Sequence, residues 1–305
     1  MKNEPRIPIA VQSQIGDYEV INCVCFSSSS ILYTVINRKS KRRYLLKEYY
    51  PYDLAKNKTI YYNSLIDSIQ SKDNEDYYHG EYKKEIKFVK QTEYINEELL
   101  VIDNKEYILI DIDDGQVLLK YMNERDSKGK IKGIDTLNDV TQLFINILKG
   151  VEPIHNNKYI HGNISPSNLF LITQEDKNIC QYQVKALDLT DIFPININNK
   201  KEGIIGKDNH YSPLEYRVSN KKKCITYGSD IYSIAAIIFE ILFDCYFDLL
   251  ICTERKHGKI QFAEFLSSPY FDGADTDTIN KLKEVLLIAL IYRYKSCAEA
   301  IKKLS

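Results

Sequence analysis

Hydrophobic periodicity changes character once along this chain, and that change limits its fold more than any other feature. Before Asp114-Gly115, the runs YEVINCVCF, ILYTVIN, RYLLKEYY and KEYILIDI are rich in β-branched and aromatic residues and are separated by polar turns. Such runs predict strands. One helical stretch, EYKKEIKFVKQ, interrupts them, with Tyr82, Ile86 and Val89 as its apolar stripe. After the break, helices dominate. Leu137, Val140, Phe144, Ile147, Leu148 and Val151 repeat at helical spacing. Ile231 to Leu242 is apolar on nearly every side and predicts the buried centre of the second part. LKEVLLIALI and SCAEAIKKL close the chain as two further helices. A length of 305 residues suits one large two-lobed domain or two small ones.

Totals remove some classes. A hydrophobic content of 44% supports a sizeable core, and a formal net charge of -1 gives no global field for nucleic acid or a membrane surface. The apolar stretch from Ile231 to Ile251 is broken by Glu240, Asp244 and Asp248, so it reads as a buried helix and its continuation, not a membrane span. MKNEPRIPIAV lacks the apolar core of a signal peptide. The seven cysteines form no C-x-x-C pair and read as buried thiols of a reducing cytoplasm. Cys23 and Cys25, two apart, are expected on one face of their strand. The basic run Arg38 to Arg43 reads as a solvated hairpin tip in preference to a docking patch.

Four residues carry chemistry by position. Lys47 shares a strand face with Leu45 and Tyr49. Glu85 lies on or beside the inward stripe of its helix, where a carboxylate without a partner costs several kcal/mol. Lys47 is one candidate partner; a rim position with Lys84 or water is the other. After IHGNISPSN, the runs LFLI and QVKALDL read as two strands that can form a ribbon presenting Asn168 and Asp188 together. An amide oxygen and a carboxylate are hard ligands of the kind Mg²⁺ accepts beside phosphate oxygens.

Taken in order, these motifs resemble those of protein kinases of the bacterial serine/threonine type. Lys47 in YLLKEYYP matches the phosphate-holding lysine, and Glu85 its ion-pair partner. His161 to Asn168 has the H-x-D-x-x-x-x-N spacing, apart from Asn163. Asp188 in D-L-T stands for the aspartate of D-F-G, and Ser212-Pro213-Leu214-Glu215 is similar to A-P-E. Asp230 in YGSDIYS and Arg293 in RYKSCAEAIKKL match the large-lobe aspartate and the arginine that pairs with Glu215. The resemblance implies an α+β, two-lobed, protein-kinase-like fold: a β-rich N-lobe over 1–113 and a mainly helical C-lobe over 114–305. It implies ATP and Mg²⁺ as cofactors. Lys47 would hold the phosphates, Asn168 and Asp188 the metal, and the main chain at Ile110, Asp111 and Ile112 the adenine. It also implies a protein substrate or a regulated partner protein, and no nucleic acid.

The sequence also departs from the kinase pattern. Asn163 stands where the proton-accepting aspartate belongs, and an amide cannot take that proton. Inherited or introduced, this change is expected to leave the chain inactive or strongly impaired, a pseudokinase or a kinase-dead form. Cys25-Phe26-Ser27-Ser28-Ser29-Ser30 has no glycine where kinases cover the phosphates with a glycine-rich loop. Thr190 replaces the glycine of D-F-G, and Gly162 the arginine that would receive a loop phosphate. Two alternatives stay open: a small-molecule phosphotransferase of the aminoglycoside or choline type, to which His161-Gly162 and Pro166 also conform, and an interaction module that binds no nucleotide.

Overall fold

The computed structural model describes residues 6–27, 30–50, 83, 85–92, 94–103, 105–173, 178–195, 210–217, 225–256 and 258–305. The chain divides into two compact units, Met1–Gly115 and Gln116–Ser305.

Among the described residues, the first unit is built on six antiparallel strands: β1 (Gln14–Ile15), β2 (Tyr18–Phe26), β3 (Ser30–Asn37), β4 (Arg43–Tyr49), β5 (Asn96–Ile102) and β6 (Lys105–Asp111). Their order in the sheet is β1-β2-β3-β4-β6-β5. Because side chains alternate along a strand, β4 sends Leu46 and Glu48 to one face and Leu45 and Lys47 to the other. The first face carries a core of Ile15, Val20, Ile31, Tyr33, Val35, Leu46, Tyr50, Tyr107 and Leu109. The N-terminal segment is tied to it: Arg6 donates to the Tyr50 carbonyl at 2.8 Å, and the Ile9 N–H to Tyr33 Oη at 3.0 Å. Tyr33 in turn donates to Glu48 Oε2 at 2.6 Å. Burial pushes the Glu48 carboxyl upward, beyond what the bond from Tyr33 and the charges of Lys105 and Arg6 offset.

On the Lys47 face lies the helix at 85–92, here α1. Its inward stripe differs from the expected one. Glu85, Phe88 and Val89 are buried while Ile86 is only half-buried; Tyr82 lies outside the described residues. The helix is turned so that Glu85 reaches Lys47, and Phe88 and Val89, three and four residues on, share that face. Cys23 and Cys25 are also placed differently. The β2–β3 register shifts between them, so Cys23 opposes Tyr33 and Cys25 opposes Leu32. Neighbouring partners point to opposite faces, so the extra residue of the bulge separates the two thiols. The basic run is a hairpin tip: Lys39 meets Asp17 at 3.0 Å and Arg42 meets Asp111 at 2.7 Å. No disulfide joins the described cysteines.

The second unit is mainly helical. After β7 (Gly115–Val117) and α2 (Leu118–Met122), α3 (Leu137–Asn156) begins at a capping box, in which Thr136 accepts from the Asp139 N–H and Asp139 accepts from Thr136. Its stripe buries Leu137, Val140, Phe144, Ile147, Leu148 and Val151, and also Leu143 and His155. Two short strands, β8 (Tyr159–Ile160) and β11 (Phe193–Pro194), pair with each other, and β9 (Leu169–Ile172) pairs with β10 (Gln183–Ala186). The short helix α4 (Leu214–Arg217) precedes α5 (Tyr227–Phe243), which is buried around most of its circumference. Next come α6 (Leu249–Cys252), the hairpin of β12 (Thr253–Lys256) and β13 (Lys259–Phe262), α7 (Thr276–Leu287) and α8 (Cys297–Leu304).

Helix α3 touches the β9–β10 ribbon at Gly150. A Cβ there would stand 2.5 Å from the Val184 carbonyl oxygen, a backbone atom that cannot swing aside. Alanine is otherwise the better helix residue by about 1 kcal/mol, so the sign depends on this contact. Gly150→Ala is expected to destabilise the chain by about 1–3 kcal/mol, as overpacking does. In a thermal melt this appears as a drop on the order of 5 °C; an unchanged or higher Tm would show that helix and ribbon separate freely.

Candidate active site

In the second unit, the ribbon positions two of the candidate residues. Leu169 opposes Ala186, and the Leu187 N–H donates to the Asn168 carbonyl at 2.7 Å. The ends of β9 and β10 therefore bring Asn168 and Asp188 side by side, both buried. Asp188 takes the left-handed conformation (φ 58°, ψ 62°), which aspartate tolerates better than most residues, and opens a tight turn over Leu189–Asp191. The Asn168 amide nitrogen donates to the Asn163 carbonyl at 2.8 Å. That bond turns the amide oxygen the other way, as a metal ligand requires. An amide oxygen and a carboxylate at adjacent strand ends form a donor set that fits Mg²⁺.

Residues 161–163 are held from behind. His161 is fully buried; its Nε2 donates to the Leu187 carbonyl at 2.9 Å and its Nδ1 accepts from the Asn163 N–H at 3.2 Å. A carbonyl only accepts, so the proton sits on Nε2. This makes His161 a brace between the loop and the ribbon. Gly162 has φ 78°, a conformation open to glycine and costly for the bulkier residue that the resemblance places there. Asp230, in the first turn of α5, accepts from the His161 N–H at 2.9 Å, the Gly162 N–H at 3.0 Å and His155 Nε2 at 2.9 Å. Burial pushes the Asp230 carboxyl up, but the bonds from His155 and the His161 amide outweigh it and hold its pKa below the usual carboxylate range.

Cys297 meets His155 Nδ1 at 3.3 Å, so thiol, imidazole and Asp230 form a line. It resembles a nucleophile arrangement but lacks its chemistry. Burial raises the Cys297 pKa far above the ordinary thiol value, and the residue is 1% exposed. A buried thiol of that kind is a hydrogen-bond donor, not a nucleophile.

In the first unit, Lys47 Nζ donates to Glu85 at 2.6 Å (Oε2) and 2.9 Å (Oε1), with side chains only 2% and 0% exposed. Lys47 is therefore a partner of Glu85, and Glu85 is buried, not at a rim. Ile110 and Asp111 are still strand residues, Ile110 opposite Leu45, and Ile112 lies just past the end of β6. In the serine turn, Ser27 Oγ accepts from the Ser30 N–H at 3.0 Å, and the two hydroxyls lie 2.9 Å apart. Ser28 and Ser29 lie outside the described residues. Glu215 pairs with Arg293 at 3.3 Å and accepts from Ser229 at 2.9 Å, a structural anchor for α4.

Asn163 makes a contact that its motif does not announce. The Asn163 Nδ2 donates to Asp191 Oδ2 at 2.9 Å. The signal available was a second aspartate three residues after Asp188, which alone reads as a turn residue.

Three curated relatives are protein kinases. The chain is 29% identical over 150 residues to a probable serine/threonine-protein kinase of Dictyostelium discoideum, a match covering 46% of this chain and 14% of that protein. It is 25% identical over 184 residues to the interferon-induced, double-stranded RNA-activated protein kinase of Rattus norvegicus, covering 58% of this chain and 31% of that protein. It is 31% identical over 107 residues to a membrane-associated tyrosine- and threonine-specific cdc2-inhibitory kinase of Caenorhabditis briggsae, covering 35% and 15% respectively. The chain thus spans well under half the length of these relatives. No family model matches the sequence. Among solved structures, the kinase domain of Mycobacterium tuberculosis PknI aligns with a TM-score of 0.58 at 14% identity, covering 98% of this chain and 100% of that one. That likeness establishes the fold. No helix among the described residues is long and apolar enough to cross a membrane.

Proposed function

We propose that this chain, a relative of the protein kinases with their fold, binds Mg·ATP and is strongly impaired in passing its terminal phosphoryl group to protein serine or threonine hydroxyls. The buried Lys47–Glu85 pair supports this reading most directly. Two charges taken out of water gain little net stability from each other, and apolar side chains would fill the same space at least as well. A lysine held rigid by a carboxylate suits the phosphates of a nucleotide. Asn168 and Asp188 would hold Mg²⁺, which when bound neutralises charge on the phosphate oxygens. Asn163 would orient the acceptor hydroxyl. As an amide it cannot take the proton, a loss of typically ~10²–10⁴-fold in rate. Protein hydroxyls are preferred to small molecules because the relatives are protein kinases. Cysteines that form no disulfide among the described residues suit the reducing cytoplasm.

Nucleotide binding is tested by a thermal melt with and without Mg·ATP. At about 100 times Kd, ligand adds about 2.7 kcal/mol, so Tm should rise by roughly 5–10 °C. Chelating the metal should remove most of the rise, and Asp188→Asn should do the same with Mg²⁺ present. A chain that Mg·ATP does not stabilise would be an interaction module instead.

A further inference from the structure

We propose that Asp191 is the proton acceptor that position 163 lacks, so that phosphoryl transfer runs slowly through a transposed carboxylate. This rests on the nucleotide-binding reading above. Asn163 Nδ2 donates to Asp191 Oδ2 at 2.9 Å, and both side chains are half-buried. Because a carboxylate only accepts, the contact fixes the amide with its nitrogen towards Asp191. Asn163 then serves to orient, and the basic oxygen in contact with it belongs to Asp191.

The backbone explains why the two meet. Strand β8 ends at Ile160, directly before the His161 loop, and Ile160 opposes Phe193 of β11. Running forward from Ile160 reaches Asn163; running back from Phe193 reaches Asp191. The turn over Leu189–Asp191 is closed by the Ile192 N–H donating to the Leu189 carbonyl at 3.1 Å. Asp191 is therefore fixed on both sides, by a turn that starts at Asp188 and by a strand pair next to the loop. In the step, the acceptor hydroxyl oxygen bonds to the γ-phosphorus of ATP. The bond from that phosphorus to the bridging oxygen breaks, and ADP leaves with the electron pair. The hydroxyl proton passes to the Asp191 carboxylate and from there to water.

The test uses the full chain with Mg·ATP and two acceptors, a degenerate Ser/Thr peptide mixture and water, alongside the thermal shift. Asp191→Asn should cut transfer by at least about 100-fold, within the range for general-base help, while Mg·ATP still raises Tm. The exchange variant Asn163→Asp with Asp191→Asn keeps the hydrogen bond with donor and acceptor reversed, and moves the carboxylate to position 163. It should transfer at least as fast as the natural chain. The proposal is overturned if Asp191→Asn keeps its rate within tenfold, if the exchange variant stays silent, or if the natural chain transfers nothing to either acceptor while Mg·ATP stabilises it. If Mg·ATP stabilises no form, the nucleotide reading falls and Asp191 loses its role with it.

Discussion

Lys47→Met should cost about 3–5 kcal/mol of folding stability, the range for removing one member of a buried ion pair, and should also abolish the Mg·ATP shift. The first effect comes from burial. Glu85 is fully shielded from water and accepts both hydrogen bonds from Lys47. Without the ammonium its carboxylate loses the donor of both hydrogen bonds while staying buried. Glu85→Leu should be similarly damaging because it takes both hydrogen-bond acceptors from the buried Lys47 ammonium. The double variant Lys47→Met with Glu85→Leu should be less destabilised than the sum of the two, since no charge remains buried. Urea melts of the four chains give the coupling directly. Additive losses would mean that water or another group already screens the pair, and the rigid phosphate-holding lysine would lose its physical basis. The nucleotide effect separates from stability in the double variant, which should fold and still ignore Mg·ATP.

That pair was legible in the sequence because each member breaks a pattern. A lysine among inward-facing apolar residues of a strand and a glutamate beside a helix stripe both need an explanation, and each can explain the other. Asn168 and Asp188 were legible for a related reason: two apolar strands with polar ends place those ends together once they pair antiparallel. What escaped depends on pieces with no period to read. Strands β8 and β11 have two residues each, too few to show alternation, and they bring Asp191 to Asn163. The bulges of β2 come from backbone choices that side-chain spacing does not encode, and they move Cys23 and Cys25 to opposite faces. The buried Glu48 and Tyr33 depend on what covers the far face of the sheet, and the residues that do so, from Arg6 to Ile9, carry no signal of their own. Phe88 lies off the stripe of Tyr82, Ile86 and Val89, yet it is buried on the face from which Glu85 reaches Lys47.

Asp230→Asn tests the loop from behind and should cost about 3–5 kcal/mol near neutral pH, since a hydrogen-bonded buried charge is lost from a network. All three groups on this carboxylate donate: the His161 and Gly162 amides and His155 Nε2. Two fall on Oδ2 and one on Oδ1, so an amide in either orientation sets its own N–H against at least one of them. The His155 donor is fixed by Cys297, whose raised pKa keeps it a thiol that donates to Nδ1. The loss should also depend on pH. The Asp230 pKa is lower in the folded chain than the ordinary value of 3.8. Its contribution is therefore complete above the unfolded value and declines as pH falls through the folded one. Urea midpoints should show the natural chain ahead of Asp230→Asn at pH 7, with the gap narrowing in acid as the natural carboxylate gains its proton. A gap that stays constant down to the lowest pH at which both fold would mean that Asp230 acts by shape and not by charge. The brace on residues 161–163, which places Asn163 beside Asp191, would then have to come from His161 alone.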